Sequence, residues 1–350
     1  MLKEQFLQEA HPREMLSSAL AHYPEVTAAA AVAAFIDTHR RHAEYGGSVP
    51  KEVTDEWKHG IDGAACEAMA EGLSRIPFHT IKVGSEGAKE IFHAGIEAPS
   101  VQGEYNSYNG YPILWGVSDV VEQTTRLSRL QDGAASVLAI TMPNGIMPTD
   151  ISVHYLMKLI GPPQARGAMS LDQDHTQNLD NLLQVLKIRP YELTQVTLND
   201  ATRPMNTPFV EAARKLGVNL KLVDSGDLMP GILAGGDQEN NEKGYYVVAT
   251  RGGMEEGTIA ALGARIQGGF MEARVWNKDE KVMAQNKLYT LDDLAPETSD
   301  MALINVTGIT GDDYLGIPAI EKRAGNTYVS STLAVSSRGL QMVRHFHHSE

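Results

Sequence analysis

The chain lacks several features that would settle its class at once. It has a single cysteine, Cys66, so no intrachain disulfide can form and a reducing compartment fits best. Its formal net charge of −14 leaves it without the basic surface that nucleic-acid binding requires. No signal-peptide core opens the sequence, and the longest apolar run near the N-terminus, residues 28–36, is too short to span a bilayer. We therefore expect a cytoplasmic protein that binds neither nucleic acid nor membrane.

The chain also lacks internal repeats, low-complexity segments, a Ser-His-Asp order and a nucleotide-binding glycine fingerprint. What it has is an ordinary globular composition, with 42% hydrophobic and 21% charged residues. Its 350 residues exceed the size at which one core keeps growing, so we expect two lobes. Pro162-Pro163 and the polar stretch that follows divide them. This gives an N-terminal α+β subdomain of residues 1–162 and a C-terminal α/β subdomain of residues 163–350.

Helices and strands alternate along most of the sequence. Apolar periodicity and turn residues predict helices over 24–44, 64–76, 179–187, 207–216 and 258–266, and strands over 80–84, 134–140, 193–198, 218–223 and 245–250. Residues 97–112 predict a loop, and the histidines at 345, 347 and 348 predict a flexible tail. The alternation favours βαβ crossovers and a largely parallel sheet, and hence an α/β fold.

Oxygen-bearing side chains gather where predicted strands end. The apolar residues 113–117 lead into Asp119, and Glu122 and Thr124 follow within five residues. Such oxygen ligands suit Mg²⁺ or Mn²⁺, although Asp-x-x-Glu-x-Thr by itself fits a solvated turn equally well. Glu86 and Glu256 follow other predicted strands, and open α/β sheets bind ligands outside the carboxyl ends of strands. The sequence therefore indicates a candidate metal site.

Two residues upstream allow more than one interpretation. Asp62 directly precedes the predicted helix 64–76, so it is a natural N-cap as well as a possible site residue. Lys58 fits either a phosphate contact or plain exposed surface.

Several segments, in order from about residue 24 to 345, resemble the class II (GlpX-like) fructose-1,6-bisphosphatases. The segments that carry the resemblance are Lys58 with Ile61-Asp62-Gly63-Ala64-Ala65, Asp119-Val120-Val121-Glu122-Gln123-Thr124-Thr125, Ser225-Gly226-Asp227, Gly252-Gly253-Met254-Glu255-Glu256-Gly257, Ile266-Gln267-Gly268 and Thr307-Gly308-Ile309-Thr310-Gly311-Asp312. The resemblance implies a layered αβαβα sugar-phosphatase fold with two subdomains, homo-oligomers, and Mg²⁺ or Mn²⁺ as cofactor.

The resemblance also implies roles for individual residues. The catalytic set is Lys58, Asp62, Asp119, Glu122 and Thr124. The metal ligands are Glu86, Asp119, Glu122 and Glu256. The residues near the sugar phosphate are Tyr155, Lys158, Arg203, Asp227 and Gly253. Carboxylates suit the metal, Arg suits bidentate contact with phosphate, and Asp suits sugar hydroxyls.

The sequence departs from the family pattern at several of these places. Trp57 occupies the position of a metal-binding Asp in the family pattern, and Glu56 lies beside it. Ser85 aligns with a metal-binding Glu, unless the turn is shifted by one residue so that Glu86 takes that position. The other departures are Val120 for a proline, Gln123 for a glycine, Met205 for a second basic phosphate ligand and Ser225 for a substrate-facing Asp.

The leading hypothesis is a metal-dependent phosphatase acting on a sugar phosphate or bisphosphate, with fructose 1,6-bisphosphate as the default substrate. One alternative is a lyase, isomerase or cyclisation step on a small phosphorylated or carboxylated metabolite. The other is a non-catalytic sugar-phosphate-binding relative.

Overall fold

The computed structural model describes residues 12–47, 53–85, 103–107, 110–149, 155–236, 244–277, 282–283, 287–296 and 300–348. The chain divides into unit 1, Met1–Pro148 with Thr298–Glu350, and unit 2, Thr149–Glu297. The sequence-based division at 162/163 differs from this one. The divisions fall at 148/149 and 297/298, because the last strands of the chain join the sheet of unit 1.

Unit 1 combines two long helices with one mixed sheet. Its elements are α1 (Pro12–Glu44), α2 (Asp55–Arg75), β1 (His79–Ser85), β2 (Gly103–Tyr105), β3 (Ile113–Glu122), α3 (Thr124–Leu127), β4 (Ala135–Thr141), β12 (Ala302–Gly308), β13 (Glu321–Arg323), β14 (Thr327–Ser336) and β15 (Gly339–His348). Within the described residues the strand order is β13-β14-β12-β4-β3-β1-β2, with β15 paired to β14. An aliphatic core between the two helices and the sheet holds unit 1 together.

Helix α1 starts twelve residues earlier than Pro24, where the sequence predicted its start. Pro24 lies inside the helix, and the Thr27 and Thr38 hydroxyls donate to backbone carbonyls one turn back, so they are satisfied although buried. Within the described part of the chain, α1 is one helix that is long and apolar enough to cross a membrane by length and composition alone. However, 56% of its apolar window is buried inside the protein, as in a core helix.

Unit 2 has its own sheet and core. Its elements are β5 (Tyr155–Gly161), α4 (His175–Leu186), β6 (Leu193–Leu198), α5 (Thr207–Leu216), β7 (Asn219–Val223), α6 (Leu228–Ala234), β8 (Tyr245–Gly253), α7 (Met254–Gln267), β9 (Phe270–Asn277), β10 (Val282–Met283), β11 (Tyr289–Thr290) and α8 (Leu291–Leu294). The strand order over the described ranges is β10-β9-β5-β8-β6-β7, with β11 paired to β9. One apolar cluster joins α4 and α5 to this sheet.

The predicted α/β class is confirmed, but the prediction of a largely parallel sheet is wrong. Parallel pairing occurs at β1–β3, β6–β7 and β6–β8, and the other strand pairs among the described residues are antiparallel. In unit 1 residues 337–338 join β14 to β15, and residues 123–134, which hold only the single helical turn α3, join β3 to β4. Such short connections join antiparallel strands, because a parallel pair needs a longer crossover.

The prediction of a flexible histidine tail is also wrong. His345, His347 and His348 lie in β15, which pairs with β14 along all ten residues. His345 and His347 are half-buried while their neighbours in β15 are exposed, as strand alternation requires.

Candidate active site

Asp119 and Glu122 lie at the end of β3 and are both buried, with 1% and 4% of their surface exposed. Their spacing of three would put them on opposite faces of a regular strand. A β-bulge changes this, because the three steps from Asp119 to Glu122 face only two steps, Val137 to Ala135, on β4. As a result, a carboxylate oxygen of Asp119 and one of Glu122 lie within 4.8 Å of each other. Two buried carboxylates this close together favour a bound cation.

The turn after Glu122 depends on an unusual backbone conformation. Gln123 has a φ of 66°, in the left-handed region that favours glycine. Its side-chain amide donates to the Gly133 carbonyl at 3.0 Å, which holds the strained residue in place. The glycine in the family motif at this position therefore has a conformational reason, and Gln123 keeps the turn.

Thr124 connects this turn to α2. Its hydroxyl oxygen is 2.9 Å from Asp62 Oδ1 and 2.9 Å from the Val121 carbonyl oxygen. The predicted N-cap role of Asp62 is wrong, because α2 begins at Asp55 and is capped by Thr54, whose side chain accepts from the backbone N–H at position 57. Asp62 instead lies in the second turn of the helix, so the structure brings it to the end of β3.

Lys58 lies one turn before Asp62 on the same side of α2. Its Nζ is 2.9 Å from Asp55 Oδ1, and its side chain is 29% exposed. This is an ion pair near the helix start, of the kind that contributes little to stability. Lys58 therefore keeps both interpretations that the sequence left open.

The departures from the family pattern at positions 57 and 85 have different outcomes. The Trp57 side chain is buried, with ring centroids 5.2 Å from His42 and 5.1 Å from Tyr45, so it serves packing. Glu56 beside it is exposed. Ser85 is the last residue of β1, and Glu86 lies outside the described residues.

Unit 2 buries an ion pair. Lys158, on β5, is fully buried, and its Nζ is 2.8 Å from Asp227 Oδ1 and 3.4 Å from the Gly253 carbonyl oxygen. The pKa of Asp227 is raised overall. Burial is the largest cause and raises it, the Lys158 ammonium lowers it, and the charge of Glu256 raises it. The other oxygen of Asp227 is buried without a hydrogen-bond partner among the described residues, so it is a ready acceptor for a ligand hydroxyl.

The two glycines at the end of β8 let carboxylates approach the backbone. A Cβ added to Gly252 would lie 2.0 Å from Asp227 Oδ2, and one added to Gly253 would lie 1.8 Å from Glu256 Oε2. Gly253 is the N-cap of α7, which starts at Met254 instead of the predicted 258. The first turn of α7 carries its own acids, Glu255 and Glu256, which suit its positive end.

Arg203 and Tyr155 meet in unit 2. The Arg203 guanidinium carbon is 5.7 Å from the centroid of the Tyr155 ring, a cation–π distance. Sequence reasoning missed a second arginine nearby, Arg251, whose guanidinium donates to the backbone carbonyl of Met205. Its position directly before Gly252-Gly253 was the available signal.

Comparisons with known proteins agree on one family. A profile described as bacterial fructose-1,6-bisphosphatase, glpX-encoded, matches residues 49–349. The chain is 29% identical over 284 residues to fructose-1,6-bisphosphatase 2 class 2 of Escherichia coli (strain K12), covering 74% of this chain and 82% of the relative.

Two cyanobacterial relatives carry the name D-fructose 1,6-bisphosphatase class 2/sedoheptulose 1,7-bisphosphatase. The one from Synechococcus sp. (strain JA-3-3Ab) is 28% identical over 232 residues, 64% of this chain and 64% of the relative. The one from strain JA-2-3B'a(2-13) is 27% identical over 251 residues, 69% of each chain. The match thus spans less than two thirds of the length of the JA-3-3Ab relative.

The profile match covers most of the chain, so the predicted family is confirmed, and with it the phosphatase class of hydrolase that the family's name states. The chain belongs to the glpX-encoded bacterial fructose-1,6-bisphosphatase family.

Proposed function

We propose that this chain is a divalent-metal-dependent phosphatase that acts on a sugar phosphate or bisphosphate, with fructose 1,6-bisphosphate as the default substrate. The observation that carries the proposal is the buried Asp119 and Glu122 pair, which the bulge in β3 brings within 4.8 Å. The names of the relatives support the substrate class.

The donor set fits Mg²⁺ or Mn²⁺, because both prefer carboxylate oxygens and the pair has no soft ligand. In the proposal Asp119 and Glu122, both in unit 1, hold the metal. A bound divalent ion supplies positive charge for the phosphate oxygens and lowers the pKa of water.

The neighbouring residues of unit 1 orient the reacting groups. The Thr124 hydroxyl donates a hydrogen bond to the Asp62 carboxylate, which turns the oxygen lone pairs of Thr124 away from Asp62. Lys58 supplies a cation for the phosphate, and its ion pair with the exposed Asp55 is weak enough to yield to a dianion.

The residues of unit 2 bind the sugar phosphate. Asp227 Oδ2, which does not contact Lys158, accepts a hydrogen bond from a sugar hydroxyl. Lys158 holds the carboxylate in position through Oδ1. Arg203, held over the Tyr155 ring, contacts a phosphate group. The family motif assigns Gly253 to the same subsite, where the missing side chain leaves room for the Glu256 carboxylate.

The test is phosphate release from a panel of sugar mono- and bisphosphates with Mg²⁺ or Mn²⁺. Asp119→Asn keeps the side-chain shape and is expected to lower release at least about 100-fold, since metal ions supply several kcal/mol of charge stabilisation. Asp132→Asn, at an exposed residue before β4, is the matched control and retains activity. Metal-independent release, or unchanged release by Asp119→Asn, would contradict the proposal.

We also propose a cytoplasmic homo-oligomer, which the resemblance to the family supports. Size-exclusion chromatography with light scattering tests the assembly, and a monomer at micromolar concentration would contradict it.

A further inference from the structure

Arg251, near the end of β8, lies where it can replace a charge that this sequence has lost. Met205 occupies the position of the second basic phosphate ligand in the family pattern. The Arg251 guanidinium donates through Nη1 to the Met205 carbonyl oxygen. A half-buried cation is thus held against the backbone of the position that lacks one.

A buried asparagine fixes this arrangement. Asn206 is fully buried, and its Oδ1 accepts the backbone N–H of Arg251 at 2.8 Å. Its Nδ2 donates to the Leu198 carbonyl at 3.1 Å. Both ends of the amide are therefore used, and they tie the loop that carries Arg203 to the strand that carries Arg251. Such satisfied buried polar contacts rigidify the groups that they join.

The strand register places Arg251 on the same face of the sheet as Tyr155, the residue whose ring Arg203 contacts. Tyr155 pairs with Gly253 and Met157 pairs with Arg251, so Tyr155 and Arg251 share a face of the β5–β8 pair. Residues two apart on a strand are about 7 Å apart. Because Arg203 lies over the Tyr155 ring, the two guanidinium groups converge on the same region.

On the opposite face of β5 and β8, a buried cation is paired with a carboxylate. Lys158 pairs with Thr250 on that face, where its ammonium meets Asp227. Among the described residues Arg203 makes no salt bridge to a carboxylate, although its charge is near enough to lower the pKa of Asp227. Helix α5, ten residues long, begins directly after Asn206 and adds its positive end close to Arg203. Two guanidinium groups and a helix start favour a phosphate ester dianion.

We propose that Arg251 is a phosphate-binding residue of the sugar-phosphate subsite, where it replaces the basic side chain missing at Met205. This inference rests on the proposed function for its substrate class. It assigns to Arg251 binding and specificity, and no part in the chemical step.

The test measures binding and turnover separately. Fructose 1,6-bisphosphate is titrated calorimetrically into the metal-free protein, and KM and kcat are measured with Mg²⁺. Arg251→Gln is expected to weaken binding and raise KM about 10- to 100-fold, the loss of a charge-assisted contact, with kcat little changed. Arg214→Gln, at an exposed arginine of α5, is the control and binds like the unaltered chain.

A second variant separates ligand contact from loop support. Adding Met205→Arg to Arg251→Gln returns the charge to the family position and is expected to recover most of the lost affinity. If Arg251 only supported the loop, the double variant would stay as weak as the single one.

The outcomes separate the two proposals. Normal binding by Arg251→Gln with intact phosphate release overturns the role of Arg251 and leaves the phosphatase standing. Weak binding by Arg251→Gln, rescued in the double variant but with no phosphate release by any form, supports Arg251 and overturns the phosphatase. No binding by the unaltered chain overturns the role of Arg251.

Discussion

Unit 1 and unit 2 each bury a pair of ionisable side chains. The two groups of the unit 1 pair have the same sign of charge, and those of the unit 2 pair have opposite signs. In unit 1 Asp119 and Glu122 are both acidic, whereas in unit 2 Lys158 and Asp227 neutralise each other at 2.8 Å. Buried charges are paired or hold a metal, because burial of an isolated charge is expensive. The unit 2 pair is therefore neutral by itself, while the unit 1 pair carries two like charges that a bound cation would neutralise.

The largest effect on stability is expected from breaking the unit 2 pair. Lys158→Met leaves Asp227 buried without its cation, so the free energy of unfolding should fall by about 3–5 kcal/mol. Denaturant unfolding measures this, with the exposed Lys215→Met as control. Replacing both partners, Lys158→Met with Asp227→Leu, should restore much of the loss. A single variant as stable as the control would show that the pair is not desolvated.

Metal addition should act through unit 1. Mg²⁺ at about 100 times its Kd is expected to raise the free energy of unfolding by about 2.7 kcal/mol, since it binds the folded state. A thermal melt with and without EDTA measures the shift. Glu122→Gln should lose most of it, whereas the Lys215→Met control should keep it. An equal shift in Glu122→Gln would place the metal elsewhere.

A smaller effect should appear in the absence of metal. Glu122→Gln removes one of two close negative charges, so the metal-free variant is expected to be more stable than the unaltered chain by on the order of 1–2 kcal/mol. Urea unfolding in EDTA measures the change. A destabilised variant would mean that the protein itself already compensates both carboxylates.

The smallest effect concerns a group that stays neutral in the core of unit 2. Burial lowers the pKa of His175, and its Nε2 lies 2.8 Å from Gln195 Oε1. Gln195 uses its own amide N–H groups on Thr197 and Phe209, so Oε1 accepts and His175 Nε2 donates. The direction of the pH effect follows from the lowered pKa.

Below about pH 6.5 His175 becomes protonated in the unfolded chain but stays neutral in the folded protein. The free energy of unfolding therefore falls as the pH decreases. The loss between pH 7 and 5 should exceed that of His175→Gln by about 1 kcal/mol, which unfolding at several pH values measures. Identical pH dependence in the two proteins would mean that the fold does not lower the pKa of His175.

The sequence predicted the local elements and the order of the motifs better than their arrangement. Strand 193–198 and helix 207–216 match the structure residue for residue, because apolar periodicity and a following Gly217 define them. Pairing direction was missed, because it depends on which strands meet in space and alternation along the chain does not reveal it.

For the candidate site, too, the sequence reveals the residue types but not the contacts between them. The types and order of Asp119, Glu122 and Thr124 are readable, since motifs preserve chemistry. The bulge that brings Asp119 to Glu122 depends on register against β4, and the contact of Thr124 with Asp62 joins residues 62 apart. Arg251 was missed because its contact is a backbone carbonyl 46 residues away, and only its position directly before Gly252-Gly253 pointed to it.

The most direct test quantifies free phosphate and the organic product in one reaction with fructose 1,6-bisphosphate and Mg²⁺. A metal-dependent phosphatase should release one phosphate for each dephosphorylated sugar, and both products should be lost in EDTA and in Asp119→Asn. An organic product formed without free phosphate, or phosphate released equally in EDTA, would contradict the proposal.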